Sequence, residues 1–377
     1  MPVFETCIRY LGGLLGAYDL SGDGLLLERA VELAEILGKA FNTRSGLPAG
    51  RIDPGGQGEG YRLSTVSIAE VGSMSLELIR LSQVTGDRKW FDLAQRSMDY
   101  LEQRVIPRSI NEPLLPLWFQ PDASLQAPLG GAFSLGGLAD SYYEYLIKTY
   151  KLLGGSEVAQ QWRRIYEASV ERVKEVLYID ISVVPNRDIL ALGKVEGGRL
   201  IPEIEHLTCF AGAMLGLGSR LLDRDQDLVD AQRFTQSCYW LTVATPTGLQ
   251  PEVVEFFDPS IVEYENFTLN GRPYHPLLGQ EPIDSSLIHS DRNGVLRWNK
   301  DGEPVEFAGE GEFGEGHEEE YVQRLSGSPP GAKKVVGRGI NRPETIESIF
   351  YMSVQVHLLH RRQLLSLTLE CVPGILC

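Results

Sequence analysis

Basic residues are in short supply in this chain. Its 377 residues carry 35 Lys+Arg against 51 Asp+Glu, a formal charge of −16 before histidine is counted. That excludes a nucleic-acid binder of the usual kind, because neutralising phosphates needs a basic surface. Long apolar runs are missing too: none approaches the ~18 consecutive apolar residues that a membrane-spanning helix requires, so the chain as given is expected to be soluble. A short apolar stretch, Leu11 to Leu15, lies near the amino terminus. Glu5 and Arg9 interrupt its approach and no small-residue cleavage site follows, which argues against a signal peptide. Cysteine is sparse: Cys7, Cys209, Cys238, Cys371 and Cys377 form no CxxC pair and no zinc-finger spacing. Buried thiols or a disulfide remain, and the odd count leaves at least one cysteine unpaired within the chain. What is present is ordinary for a globular protein, with 43% hydrophobic and 23% charged residues. At roughly 100–200 residues per domain the length suggests two domains, although a closed toroid or barrel can hold this many in one.

Between Glu5 and Tyr178 apolar residues recur mostly at helical spacing, and turn signals interrupt them at regular intervals. The turns at Gly22, Gly86, Gly154 and Asp223 fall at nearly equal distances along the chain. Each unit reads as an apolar, small-residue helix, a tight turn, and an amphipathic helix with one charged face, such as Arg88 to Arg104. Segments like Ala211-Gly212-Ala213-Met214-Leu215-Gly216 are too apolar and too small for a surface helix and read as an inner ring. The amphipathic partners form the outer ring. Concentric rings of this kind make an all-α fold, an (α/α) toroid of helical hairpins, linked by Gly/Pro-rich segments such as Gly46 to Gly60 and Pro107 to Ser134.

Polar residues open the inner helices in phase. Glu5, Glu70, Asp140 and His206 follow one another at nearly the same interval as the turns, so the repeat puts them on one rim. For any one of them a structural reading exists, since acidic residues favour the first turn of a helix. Four in phase point instead to a funnel of carboxylates, a natural place for acid/base work on a sugar.

The residues also carry a family resemblance. Phe4-Glu5-Thr6-Cys7-Ile8-Arg9-Tyr10-Leu11-Gly12-Gly13-Leu14-Leu15, Ala69-Glu70-Val71-Gly72 with Leu76-Glu77, and Asp140-Ser141-Tyr142-Tyr143-Glu144-Tyr145-Leu146 are three of its motifs. His206-Leu207-Thr208-Cys209-Phe210, Gly248-Leu249-Gln250-Pro251-Glu252 and Arg342-Pro343-Glu344-Thr345-Ile346-Glu347-Ser348 are three more. Together, and in this order, they resemble the motifs of glycoside hydrolase family 47, the class I α-1,2-mannosidases of N-glycan trimming. The resemblance implies an (αα)7 barrel, a calcium ion that holds the sugar's hydroxyls, and release of terminal α-1,2-linked mannose from high-mannose N-glycans with inversion. Inversion requires acid and base carboxylates roughly 6.5–9.5 Å apart, leaving room for a water. Carried residue by residue, Glu5 matches the family's acid, Asp140 and Glu252 its further active-site carboxylates, and Glu344 its base. Arg9, Glu70, His206, Arg342 and Glu347 match residues lining the mannose pocket. Cys209 and Cys238 match the family's disulfide pair, and Cys7 is free by the same comparison. The family further implies a monomer of the secretory pathway or one that is secreted.

The chain also departs from the pattern. In the family the FETxIR motif is preceded by an anchor or signal and a first hairpin, whereas here it starts at residue 4. From Val354 to Cys377 no likeness to the closing hairpins remains, and the family's calcium-binding threonine has no counterpart; Thr368 stands in an unrelated context. The expectation is therefore a single toroid domain over 1–377, incomplete at both termini, with an acidic low-complexity insertion at about 270–335 and a divergent tail at 354–377. An open toroid of this kind exposes inner-helix surface, and little or no mannose release is expected of it. Within the insertion, Gly309 to Glu320 reads as a solvated stretch whose His317 and neighbouring glutamates bind divalent cations weakly. Asp223-Arg224-Asp225 imitates a calcium loop but lacks its later glycine and glutamate, so a hairpin turn is the better reading. Asn266-Phe267-Thr268 is a glycosylation sequon. His275, His289, His357 and His360 have no partner at ligand spacing. Two rivals stand beside the hydrolase: a catalytically silent mannose-binding protein of the same fold, and a toroid of terpene-cyclase type, which the lack of a DDxxD cluster argues against.

Overall fold

The computed structural model describes residues 1–56, 60–121, 127–181, 188–245, 247–256, 332–338 and 342–360, with the short pieces 268–269, 272–273, 329 and 340. Gly309 to Glu320, Asn266, His275, His289, Thr368 and most of the expected insertion and tail lie outside the described residues, as do the side chains of His357 and His360.

Helical hairpins make up the structure. The first inner helix is continuous through α1 (Val3–Thr6), a π turn (Cys7–Leu11) and α2 (Gly12–Ser21), and its outer partner is α3 (Gly24–Gly38). In the second hairpin α4 (Ile68–Gly72) and α5 (Ser75–Thr85) are inner and α6 (Arg88–Tyr100) is outer. The third pairs α7 (Asp140–Leu152) with α8 (Ala159–Val176). In the fourth a 3-10 turn (His206–Phe210) runs into α9 (Ala211–Leu221), which packs on α10 (Asp225–Val243). A fifth inner helix, α11 (Glu344–His360), follows. The inner helices α2, α5, α7, α9 and α11 touch one another in chain order, the arrangement of an (α/α) toroid, as the helical repeat predicts.

The turns show why the repeat is written as it is. Gly22 and Gly86 end their inner helices in the left-handed conformation, with φ of 71° and 72°, which costs glycine nothing. The next residue caps the outer helix: Asp23 accepts from the Leu25 N–H at 2.9 Å and Asp87 from the Lys89 N–H at 3.0 Å. One Gly-Asp dipeptide thus stops one helix and starts another. In the fourth hairpin Asp223 takes the left-handed place, at φ 54°, as a hairpin turn requires.

Inner and outer helices differ as their composition demands. Every residue from Ala211 to Ser219 on α9 is buried. A Cβ at Gly212 would stand 2.2 Å from Thr235 Oγ1 of α10 and 2.9 Å from Ser348 Oγ of α11, so the helix can be packed on both sides only because it is made of small residues. Outer helix α8 buries one stripe, Trp162, Ile165, Tyr166, Ser169, Val170 and Val173. At the two ends of the array, inner-helix surface meets solvent: Tyr10 and Leu20 on the first helix, and Ile346, Phe350 and Val354 along one face of α11, are exposed.

Short strands, few of which the sequence signals, occupy the connections. They are β1 (Val66–Ser67) with β2 (Trp118–Phe119), β3 (Tyr178–Ile181) with β4 (Ile189–Leu192), β5 (Lys194–Glu196) with β6 (Arg199–Ile201), and a three-stranded sheet described next. In that sheet β8 (Val253–Phe256) lies between β7 (Glu203–Glu205) and the strand Ala332–Val336, with Ile204 opposite Val254 and Val254 opposite Val335. A further two-residue pairing joins Thr268–Leu269 to Arg272–Pro273. The three-stranded sheet matters most, because it delivers His206 and Glu252 to the same place.

Candidate active site

The N-terminal ends of the inner elements carry the polar residues expected there. Glu5 lies in the first turn of α1, Glu70 in that of α4, Asp140 in that of α7 and Glu344 in that of α11, while His206 opens its 3-10 turn. Because inner helices of successive hairpins run the same way, these ends share one rim.

On one side of that rim the side chains are tightly interlinked. The His206 N–H donates to the Glu252 carbonyl at 2.8 Å, and the Glu252 N–H to the Val336 carbonyl at 2.8 Å, both at the edge of the three-stranded sheet. The Glu252 carboxylate accepts from Arg342 Nε at 2.8 and 2.7 Å and also from the second guanidinium nitrogen. This two-pronged pair holds the Glu252 carboxyl below the ordinary carboxylate range. Burial lowers His206, in which Glu252 and Arg342 act in opposite directions.

Asp140 and Glu344 are treated in the opposite way. Burial pushes Asp140 up to about 7, against the Ser141 N–H that donates to its Oδ1 at 2.9 Å, and Glu144, Glu205 and Glu344 add to the rise. Burial likewise raises Glu344; its own N–H and Arg342 pull it down, and Glu347 and Glu144 push it up. Glu344 Oε2 is buried and accepts no hydrogen bond. One environment therefore contains a carboxyl that keeps its proton near neutral pH beside a carboxylate, Glu252, that gives it up readily. Such divergence is the arrangement acid/base chemistry needs.

Glu205 belongs to the group although no sequence motif singles it out. Its Oε1 accepts the Gly137 N–H at 2.9 Å, and burial raises it against that hydrogen bond. A Cβ at Gly136 would stand 2.0 Å from Glu205 Oε2, so the Gly136-Gly137 pair just ahead of Asp140 is what lets this carboxylate in. That pair is the one signal the sequence offers.

The remaining expected residues stand differently. Glu5 is half exposed and its Oε2 accepts from Arg9 Nε at 2.6 Å across one helical turn. Glu70 closes a capping box: it receives the Ser67 N–H at 3.3 Å, and the Ser67 hydroxyl receives its own N–H at 3.3 Å. Glu347 takes an ion pair at 3.1 Å from Lys148 of α7. Cys209 and Cys238 form a disulfide, with Cα atoms 6.0 Å apart, and Cys7 is a buried free thiol. Asp227, in the first turn of α10 just past the Asp223-Arg224-Asp225 turn, is taken by Arg224 at 2.5 Å and Lys174 at 2.6 Å. Two surface clefts, of about 620 and 790 Å³, lie along α6 around Leu93 and Arg96 and share no residue with the rim.

Known proteins share sequence and fold with the chain. The family model described as glycosyl hydrolase family 47 matches residues 1–354. The chain is similar to the mannosyl-oligosaccharide 1,2-alpha-mannosidase of Candida albicans, 33% identical over 79% of this chain and 54% of the relative. It is also similar to the endoplasmic reticulum mannosyl-oligosaccharide 1,2-alpha-mannosidases of Schizosaccharomyces pombe, 32% identical over 76% of this chain and 57% of the relative, and of Homo sapiens, 34% over 67% and 35%. The chain spans about half the length of the first two. Among solved structures, an alpha-1,2-mannosidase from Trichoderma reesei superposes with a TM-score of 0.62 at 24% identity, over 93% of this chain and 63% of that one, a likeness of fold.

Proposed function

The chain belongs to glycosyl hydrolase family 47, and from that premise we propose that it removes terminal α-1,2-linked mannose from high-mannose N-glycans, with inversion. The observation that carries this reading is the pair of raised carboxyls, Asp140 and Glu344, at the ends of two inner helices beside the ionised Glu252–Arg342 pair. In the proposed reaction Asp140 protonates the departing glycosidic oxygen as the bond to the anomeric carbon breaks. Glu344, whose Oε2 has no donor, takes a proton from the water whose oxygen bonds to that carbon from the opposite face. The products are β-mannose and the shortened glycan, and solvent returns the proton from Glu344 to Asp140. Glu5, the match to the family's acid, is assigned a supporting part from the opposite side of the rim, where it pairs with Arg9, and Arg9, Glu70, His206, Arg342 and Glu347 are assigned to the sugar.

Calcium is part of the proposal, as the ion that would orient the sugar's hydroxyls. Among the described residues no group of three or more histidine, cysteine, aspartate or glutamate side chains is placed to hold a metal ion, and no step is routed through the ion. A monomer of the secretory pathway is proposed, supported by the endoplasmic reticulum relatives and the disulfide. Among the described residues no helix is long and apolar enough to cross a membrane.

The test is mannose release from α-1,2-linked mannobiose, with and without calcium, by the natural chain and by Asp140→Asn; measurable release by the natural chain would overturn the expectation of little or none. Release abolished by the substitution supports the reading. Binding of mannobiose without turnover would replace it with a silent glycan binder, and release unaffected by the substitution would remove Asp140 from the mechanism.

A further inference from the structure

Lys148 lies two turns along α7 from Asp140. Its ammonium donates to Glu144 Oε1, one turn back towards Asp140, and at 3.1 Å to Glu347 Oε1, one turn into α11 from Glu344. All three side chains are largely withdrawn from water, at 24%, 19% and 29% exposure. In the ring α9 stands between α7 and α11 and touches both. The ion triad is therefore a direct tie between two helices that are not sequential neighbours. It also holds α11 at the residue next to Ser348, whose hydroxyl accepts the Ala213 N–H of α9 at 2.8 Å. The opposite face of α11, with Ile346 and Phe350, is exposed. Two adjacent side chains, Glu347 and Ser348, thus anchor this helix to two different partners and fix its rotation about its own axis.

We propose that Lys148 is a positioning residue which, through Glu144 and Glu347, sets α11 against α7 and so places Glu344 relative to Asp140. The proposal rests on the reading of Asp140 and Glu344 as the reacting carboxylates. The electrostatics agree with the geometry. Burial disfavours the Lys148 charge, yet Glu144 and Glu347, with Tyr351 beside them, hold it well above the ordinary lysine value. Burial raises Glu144, Lys148 opposes the rise and Glu347 adds to it. From α5, Glu77 faces the same region through Tyr145 and is itself pushed up by burial and, in smaller part, by Glu144.

Removing the ammonium leaves Glu144 and Glu347 facing each other without a cation, which is costly in a poorly hydrated site. Glu144 in Lys148→Met should then bind its proton more tightly still. A folded-state value raised above the unfolded one contributes stability at low pH that is lost as pH rises through the folded value. The deficit of Lys148→Met against the natural chain should therefore widen between about pH 5 and about pH 8. Hydrogen exchange at the α11 amides should rise by roughly tenfold or more at about pH 8, and Lys148→Arg should restore both. If Lys148→Met does not fold at the higher pH, it should fold at the lower one, and Glu144→Gln/Lys148→Met/Glu347→Gln should fold at both. A deficit equal at both pH values, or α11 exchange left unchanged, would overturn the tie. Activity separates the two layers: Lys148→Met should lower kcat by a larger factor than it raises KM through the loosening of Glu347, a residue assigned to the sugar. If Glu344→Gln abolishes release and Lys148→Met leaves kcat alone, positioning is wrong; if Glu344→Gln is itself harmless, the reading of the reacting pair has failed instead.

Discussion

Two sides of one rim, built by the same repeat, end in different chemical states. On the side of the first hairpin, Glu5 is half exposed, its partner Arg9 lies on its own helix, and Leu20 further along is open to solvent. On the far side, Asp140, Glu205, Glu252 and Glu344 gather where three inner elements meet a three-stranded sheet, and a disulfide ties the turn carrying His206 to α10. The difference teaches that phase in the repeat decides which residues reach the rim, while the layer packed behind each one decides its proton affinity. Burial with neighbouring carboxylates raises Asp140, and a guanidinium lowers Glu252.

The comparison can be broken most severely by activity. Asp140→Asn and Glu344→Gln should each lower mannose release by roughly 10²–10⁴-fold, the range for losing a general acid or base. Glu5→Gln should lower it less; an equal or larger loss, in the same assay, would erase the distinction between the sides. Next comes pH. Glu77, fully enclosed beside Tyr145, is raised by burial to about 7 from 4.5, which amounts to roughly 3 kcal/mol. Since its folded value is the higher one, stability should fall as pH climbs from about 4.5 towards about 7, and Glu77→Gln should flatten that slope in denaturant titrations. Replacing Cys209 and Cys238 with alanine should cost roughly 2–4 kcal/mol, read as a lowered unfolding midpoint. The smallest effect belongs to the exposed side. Arg9→Ala removes a solvent-exposed pair one turn apart and should change stability by no more than about 0.5 kcal/mol in the same titration.

Much of this was legible in the residues. Gly22-Asp23 and Gly86-Asp87 announce a helix stop and a helix start within two positions, and the run of small residues on α9 announces burial on both sides. Those are local signals, complete within a few residues. Glu205 was not legible, because it acts from a short strand whose partner β8 begins only at Val253, beyond the whole of the fourth hairpin. So short a strand carries too little alternation to declare itself. Lys148 was not legible either. It falls on the closing lysine of the family's DSYYEYLxK pattern, but its partner Glu347 is 199 residues away, and nothing local to the motif shows that pairing. The raised carboxyls escaped for the same reason, since Asp140 sits in a first turn as any capping acid does, and only its burial and the carboxylates around it, Glu144 on its own helix with Glu205 and Glu344 from two other elements, make it different.

One titration bears most directly on the claim that the packed side of the rim keeps a proton near neutral pH. With carbonyl-labelled aspartate in the natural chain, and Asp140→Asn to identify its signal by difference, the Asp140 carboxyl should titrate near 7. A midpoint close to the ordinary aspartate value of about 4 would contradict the account, leaving Asp140 ionised at neutral pH with no proton to give.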